Sequence, residues 1–567
     1  MKNKTKYLSC LLLIACFVGC SDLLEEVPLS QASPENSFQS EANAISAIVG
    51  VYSSLQLDGV YSKSQLYFTT DETNTAPKSL LGGINTYTFT ADNVDVILPI
   101  WKDHYVGINR ASQAISKIPA IDMDVTERNS LVAEAKFIKA LLYFNLIRYF
   151  GDVPYKETET ASLNNLDIAR TPVATIYEKI IKYLEYGVIN LKVKAPGLAG
   201  HATQDAAKTL LASVYLTRGS MAKRDNTGDK GLADFALAAK FAKEVMDSNR
   251  YSLCDYFPDA FTVNNKNNNE IIFDVQFKGP GLGVGSSIGL NMGIPSNASG
   301  FDNFTAGGST ALIRANTYHQ YLYDKADSIR LQWTNARIQI QAETGKFIRL
   351  SAISNTPVSA GKFRRYPVHD SNYALKYNDY DVNWPVFRFA EVLLIYAEAL
   401  NETSGPKQEA IDALNKLRSR ARNVNAGGVH KDALPRVLTL QKSTGFVDLT
   451  LSDPLVSTQD AFIDYITIER SRELMAEGKR WFDLVRWGKL QSTLLGLNAK
   501  FLAKQTEPIP VEVPAITPTK WRNYWNTQSN DWTNLSGNVK DFHNLMPIPN
   551  NEILANPAIG TNNTGYN

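Results

Sequence analysis

The stretch "ATQDAAKTLLASVYLTR", Ala202 to Arg218, is followed after a short break by "ADFALAAKFAKEVM", Ala233 to Met246. Both carry apolar residues at helical spacing, with small alanines where two helices would cross and Leu or Tyr between them. The arrangement returns later. "FAEVLLIYAEAL", Phe389 to Leu400, precedes "QEAIDALNKLRSR", Gln408 to Arg420. Each is read as an antiparallel helix pair.

Alanine lets two backbones approach closely, which is how tetratricopeptide-type hairpins pack. Ordinary antiparallel helices share this periodicity, and the repeat consensus is matched only loosely. Working outward, Ala42 to Leu55 and Trp101 to Ile118 read as helices. Ala133 to Phe150 is apolar on every side, the pattern of a helix buried in the middle of a large domain. Gly151-Asp152-Val153-Pro154 stops it. Between the pairs the texture changes. Glu270 to Phe277, "EIIFDVQF", alternates as a strand does. Lys278 to Gly308 is rich in Gly, Ser and Asn, and Lys346 to Tyr366 offers short strands. The fold class is mainly α, with irregular loop and short-strand insertions.

The chain has 567 residues, a formal net charge of +1 and charges spread along its length. Such a chain has no concentrated basic surface and is not expected to bind nucleic acid. Its start is distinctive. Lys2, Lys4 and Lys6 precede a short apolar run, Leu8 to Val18, and then "FVGC", Phe17 to Cys20. The run has the length of a signal-peptide core and is too short to span a bilayer. Phe17-Val18-Gly19-Cys20 resembles a bacterial lipobox, in which the cysteine becomes the first mature residue and carries acyl chains. Cys20 is therefore the expected lipid-attachment residue. Several chains give lasting anchorage where one holds only marginally. Cys10 and Cys16 leave with the leader, so Cys254 has no disulfide partner. No later segment reaches about 18 unbroken apolar residues, so none is expected to span a membrane.

Catalytic chemistry is not evident. None of the six histidines is spaced from another like a zinc helix, and no cysteine pair accompanies them. Gly285-Ser286-Ser287-Ile288-Gly289 matches G-x-S-x-G, but glycines precede it where a nucleophile elbow needs a strand. Gly289 to Gly300 does not read as the helix that must follow. The densest polar-aromatic stretch is "ERSRELMAEGKRWFDLVRWG", Glu469 to Gly488. Glu469, Glu473 and Glu477 recur one turn apart, where Arg470, Arg472 and Arg480 are expected to neutralise them. A structural role is the expectation. No catalytic residue, metal ligand or cofactor is assigned.

Together these stretches resemble the SusD/RagB family of surface lipoproteins. The matching segments, in order, are Cys20-Ser21-Asp22-Leu23-Leu24, Ala133 to Ala140 continuing to Pro154, Arg388 to Leu394, Glu469 to Gly488, and Leu545 to Pro549 with Gly565-Tyr566-Asn567. The resemblance implies a leader over 1–19, a lipidated start and tether over 20–38, and one domain over 39–567. That domain has parts 39–250 and 270–567 and about four tetratricopeptide-like helix pairs. It implies a non-enzymatic protein on the outer-membrane surface, held by its lipid. Such a protein captures oligo- or polysaccharide, or peptide in the RagB branch, for a SusC-like TonB-dependent barrel transporter. The resemblance also puts the ligand on two loop sets. Here the first, Thr69 to Phe89, holds Asp71, Glu72, Asn74, Tyr87 and Phe89. The second, Leu290 to Gly308, holds Asn297, Phe301, Asp302, Asn303 and Phe304. Neither contains tryptophan, unlike the family's starch binder, which points away from starch. Trp333, Tyr377, Tyr380 and Trp384 are further candidates, each favoured as packing. Trp101, Trp481 and Trp487 are expected in the core.

Overall fold

The structure is a computed structural model that describes residues 38–62, 68–75, 81–160, 166–279, 282–295, 309–324, 327–340, 347–350, 358–364, 379–422, 447–508 and 516–566. The expected leader and Cys20, the expected lipid-attachment residue, lie outside them.

Helix pairs build the frame. α1 (Glu41–Ser53) begins at Ser40, whose side chain accepts the Asn43 N–H, and packs on α2 (Ile97–Lys117). α3 (Val125–Phe150) starts under an Asp124 cap and ends at Gly151, which takes φ 71°. Every residue from Ser130 to Phe150 except Lys136 and Arg148 is buried. This is the all-round apolar helix the sequence predicts, and α2 and α4 (Val173–Asn190) lie against it. Between α3 and α4, two residues, Val153–Pro154 (β2), pair with Arg170–Thr171 (β3).

α5 (Gln204–Arg224) and α6 (Leu232–Asp247) form the hairpin expected from Ala202 to Met246. Ala206, Ala207, Ala238 and Ala242 are fully buried, as close helix approach requires. The later pair is α9 (Phe389–Ser404) and α10 (Gln408–Arg422). α6 packs on α9, so both parts of the sequence share one core.

Between these pairs lie β4 (Ile271–Val275), the five-residue α7 (Ile288–Met292), β5 (Ile313–Ala315), α8 (Ser328–Thr334), β6 (Asn335–Ala336), β7 (Ile338–Ile340), β8 (Phe347–Arg349), β9 (Ser359–Ala360) and β10 (Trp384–Arg388). β4 pairs antiparallel with β10, and β7 with β8. A strand early in the chain, β1 (Thr73–Thr75), heads a four-stranded sheet in the order β1-β5-β9-β6.

The chain closes through α11 (Gln459–Leu474), α12 (Arg480–Arg486), α13 (Leu490–Lys504), α14 (Pro518–Asn538) and α15 (Asn550–Ala555). The C-terminal segment returns to the end of α3. Met546 N–H donates to Tyr149 O at 2.7 Å, and Asn563 Nδ2 to Phe150 O at 2.9 Å. α4, α13 and α14 add to the helices expected from sequence. α14 is full of Asn, Thr and Ser, which are weak helix formers. Burial of Trp521 and Trp525 holds it instead.

Candidate ligand-binding site

β1 lies inside the first expected loop set, and β5 follows directly on the second. The structure pairs them antiparallel, Thr73 opposite Ala315, Asn74 opposite Arg314 and Thr75 opposite Ile313. β9 then pairs with β5 at Ser359 opposite Arg314. In this antiparallel arrangement the end of β1, the start of β5 and the end of β9 lie at one edge of the sheet. Strand alternation sorts the side chains. Thr73, Thr75, Ile313 and Ala315 are buried, while Asn74 and Arg314 stand half-exposed on the same face.

Local bonds hold β1 in place. Thr70 Oγ1 accepts the N–H groups of Glu72 and Thr73, and Thr70 N–H donates to Thr73 O at 2.9 Å. Asn85 Nδ2 donates to Thr75 O at 3.1 Å, and Asn316 N–H to Glu72 O at 2.7 Å. Just before the strand, Arg480 of α12 grips Asp71 through Nε and Nη2 at 2.8 and 2.7 Å. Burial pushes the Asp71 carboxyl up, but this guanidinium outweighs it and holds the group below its usual value. Glu72 is only 3 % exposed. Burial raises its carboxyl to about 8, aided by the Asp71 charge and opposed by Arg480.

Tyr87 has φ 55° and is 2 % exposed. Its hydroxyl donates to Thr69 O at 2.7 Å, and its ring meets His543 edge-on. Glu72 and Tyr87 thus lie beneath the surface in this structure, supporting the loop rather than presenting themselves to a ligand. Asp71 is engaged by Arg480, and Phe89 is buried. Of the first set, Asn74 is half-exposed, although its Oδ1 is buried without a hydrogen-bond partner. Asn297, Phe301, Asp302, Asn303, Phe304 and Tyr377 lie outside the described residues. Trp333, Trp384 and Tyr380 are buried, as packing residues would be. Trp101 and Trp481 are core, and the half-buried Trp487 donates from Nε1 to Glu398 at 2.9 Å.

Arg314 was not among the candidates. Its signal was slight, a charged residue between apolar ones in "LIRA", Leu312 to Ala315. Nε donates to Ala311 O at 3.3 Å. Burial lowers its pKa.

Glu469, Glu473 and Glu477 form no reaction centre. All are buried and saturated by basic groups from other elements. Arg330 of α8 reaches Glu469 and Glu473 at 2.7 and 2.8 Å. Arg388 of β10 reaches Glu270, Glu473 and Glu477, each at 2.7 Å. Lys362 donates to Glu477 at 2.6 Å, and Arg420 of α10 contacts Glu473. The expected neutralisation within the stretch is corrected. Arg470 pairs with Asp483 and Arg480 with Asp71, and only Arg472 contacts Glu469, at 3.3 Å. Glu469 and Glu473 share one face of α11 and Glu477 lies in the turn after it, while Arg470 of α11 and Arg480 of α12 point elsewhere. Burial would raise Glu473, but Arg420, Arg388 and Arg330 hold it far below its usual value.

Ser287 of the G-x-S-x-G match is buried with Oγ unpartnered. The short α7 does follow it, contrary to the expectation of no helix there, but among the described residues only isolated bridges, Lys278 with Val284 and Ser286 with Tyr380, stand where a strand would lead in. Among the described residues no group of His, Cys, Asp and Glu is placed to hold a metal ion. No described helix is long and apolar enough to cross a membrane. A separate cleft of about 830 Å³ opens between α2 and α15, lined by Trp101, Tyr105, Tyr155 and Asn556 among others.

Residues 350–566 match the model described as SusD family, and residues 22–216 match "Starch-binding associating with outer membrane". The chain belongs to the SusD family. This SusD-family chain is 28 % identical over 573 residues to SusD-like protein P2 of Formosa agariphila, covering 98 % of each. It is 25 % identical over 406 residues to the starch-binding protein SusD of Bacteroides thetaiotaomicron, covering 63 % of this chain and 64 % of that one. The fold resembles a solved SusD homolog from Bacteroides thetaiotaomicron with a TM-score of 0.74 at 20 % identity, over 94 % of this chain and 98 % of that one. It also resembles a laminarin-binding SusD-like protein with a TM-score of 0.64 at 22 % identity, over 93 % and 100 %. The family is one of starch- and glycan-binding proteins.

Proposed function

We propose that this chain is a surface lipoprotein that captures oligo- or polysaccharide and passes it to a SusC-like TonB-dependent barrel in the outer membrane. The observation that carries the reading is the β1–β5 pairing. It joins two loops far apart in sequence and sets the half-exposed Asn74 and Arg314 side by side. An amide N–H and a guanidinium are suited to bonding sugar hydroxyls, both as donors. The Arg480–Asp71 ion pair and the bonds from Asn85 and Asn316 tie down the backbone around Asn74, which lowers the ordering cost of binding. The match to a starch-binding family and the laminarin-binding neighbour support sugar as the ligand. Lipid on Cys20 would keep the domain at the membrane, and residues 21–38 would give it reach to the barrel.

The reading is non-catalytic. The clustered carboxylates that an enzyme would need are engaged in ion pairs within the core. The test is affinity electrophoresis of protein starting at Ser21 in gels cast with single polysaccharides, followed by analysis of the sugars for cleavage. Retardation by a glycan with no shortened products is expected. Retardation by none, with binding of a peptide mixture instead, would replace the glycan by a peptide. Shortened products would overturn the non-catalytic reading.

A further inference from the structure

We propose that the glycan taken at this surface is acidic, with its carboxylate or sulfate group received by Arg314 while Asn74 bonds a neighbouring hydroxyl. The inference rests on the glycan-capture reading and names its substrate class.

Several arginines that this fold encloses contact carboxylates, whereas the buried Arg418 donates to Val447 O and lies near the Tyr465 ring. Arg330 has Asp327, Glu469 and Glu473; Arg388 has Glu270, Glu473 and Glu477; Arg480 has Asp71; Arg486 has Glu398 and Asp483. Arg364, which lacks one, donates to the carbonyls of Gly361, Gln332 and Trp333 and lies over the Trp333 ring. Arg314 has neither arrangement. Among the described residues its side chain makes one hydrogen bond, from Nε to Ala311 O, and no carboxylate pairs with it. It is nevertheless half-buried, and burial alone depresses its pKa.

A partly desolvated guanidinium is costly unless an anion faces it. A neutral hydroxyl would accept one N–H and leave the charge uncancelled. A carboxylate or sulfate offers paired oxygens that match the planar donor fork and cancels the charge as well. The second observation is the amide beside it. Asn74 sits half-exposed directly opposite Arg314 on the paired strand, with its Oδ1 buried and its Nδ2 left to donate. Side chains directly opposite in an antiparallel pair have Cβ atoms roughly 5 Å apart, about the width of one sugar ring. One uronic-acid or sulfated ring can therefore place its anion on Arg314 and a hydroxyl on Asn74.

The test compares glycans that differ only in charge: polygalacturonate with its methyl-esterified form, and a sulfated galactan with its desulfated form. Calorimetry would use the chain from Ser21 as wild type, Arg314→Gln and Arg314→Lys. The expected result is tighter binding of an acidic member than of its neutralised twin, weakening as salt rises. Arg314→Gln should lose about 10- to 100-fold in affinity for it, the range for a hydrogen bond to a charged group. Arg314→Lys should keep part of it, and all three proteins should melt alike. Equal affinity for both twins, or an Arg314→Gln variant that binds as wild type, would overturn the acidic class and leave glycan capture standing. Binding of no glycan at all would overturn both.

Discussion

At the scale of single residues, the loop that leads into β1 contains two adjacent carboxyls held in opposite ways. Arg480 keeps Asp71 ionised, whereas burial raises Glu72 to about 8. Linkage fixes the consequence. Between the ordinary carboxylate range and pH 8 the folded chain keeps a proton on Glu72 that the unfolded chain has released, so stability falls as pH rises through that window. Melting temperature measured from pH 5 to 8 should fall less steeply in Glu72→Gln than in wild type. The two proteins should be closest at the acid end. Arg480→Ala should do more harm, because it leaves Asp71 enclosed without its partner. These supporting roles were not legible in the sequence. The one-letter pattern marks Asp71, Glu72, Asn74 and Tyr87 alike as polar or aromatic loop residues. Only the positive φ of Tyr87 and the strand alternation at β1 decide which point in and which point out. Arg314 was hidden for the converse reason, because three strand residues between loops carry too little periodicity to be noticed.

At the scale of elements, the Glu469–Glu477 face of α11 and its following turn ties together β10, α8 and α10. Arg388 joins β10 to three carboxylates at once. Arg388→Ala should destabilise the fold by about 3–5 kcal/mol, the cost of leaving buried charges unpaired, readable in denaturant unfolding. The sign of the pH dependence here is opposite to that of Glu72. The depressed Glu473 and Glu477 contribute stability that is present above the ordinary carboxylate range and lost as pH falls below it. A second element contact is steric. A Cβ on Gly107 of α2 would lie 2.6 Å from Leu142 Cδ1 of α3. Gly107→Val should cost about 1–3 kcal/mol by overpacking, seen as a lowered denaturation midpoint. The helix pairs themselves were legible. Alanine spacing in α5, α6, α9 and α10 and the all-round apolar α3 state their packing directly. The ion-pair partners of α11 were not, since Arg330, Lys362, Arg388 and Arg420 are remote in sequence and nothing local announces them.

At the scale of the whole molecule, one core runs from α1 to the C-terminal segment, with the short sheet carried at its side as the place where distant loops meet. On the proposed reading, lipid on Cys20 would hold this domain at the outer membrane. Cys20→Ser should move the chain from the membrane fraction to the soluble fraction without changing its melting temperature. The central claim is that glycan is held where β1 meets β5, and backbone hydrogen exchange with and without a bound polysaccharide tests it most directly. Slowed exchange on binding in residues 69–75 and 309–315 is the predicted result. Protection confined to the cleft between α2 and α15, or unchanged exchange along both strands at saturating glycan, would contradict it.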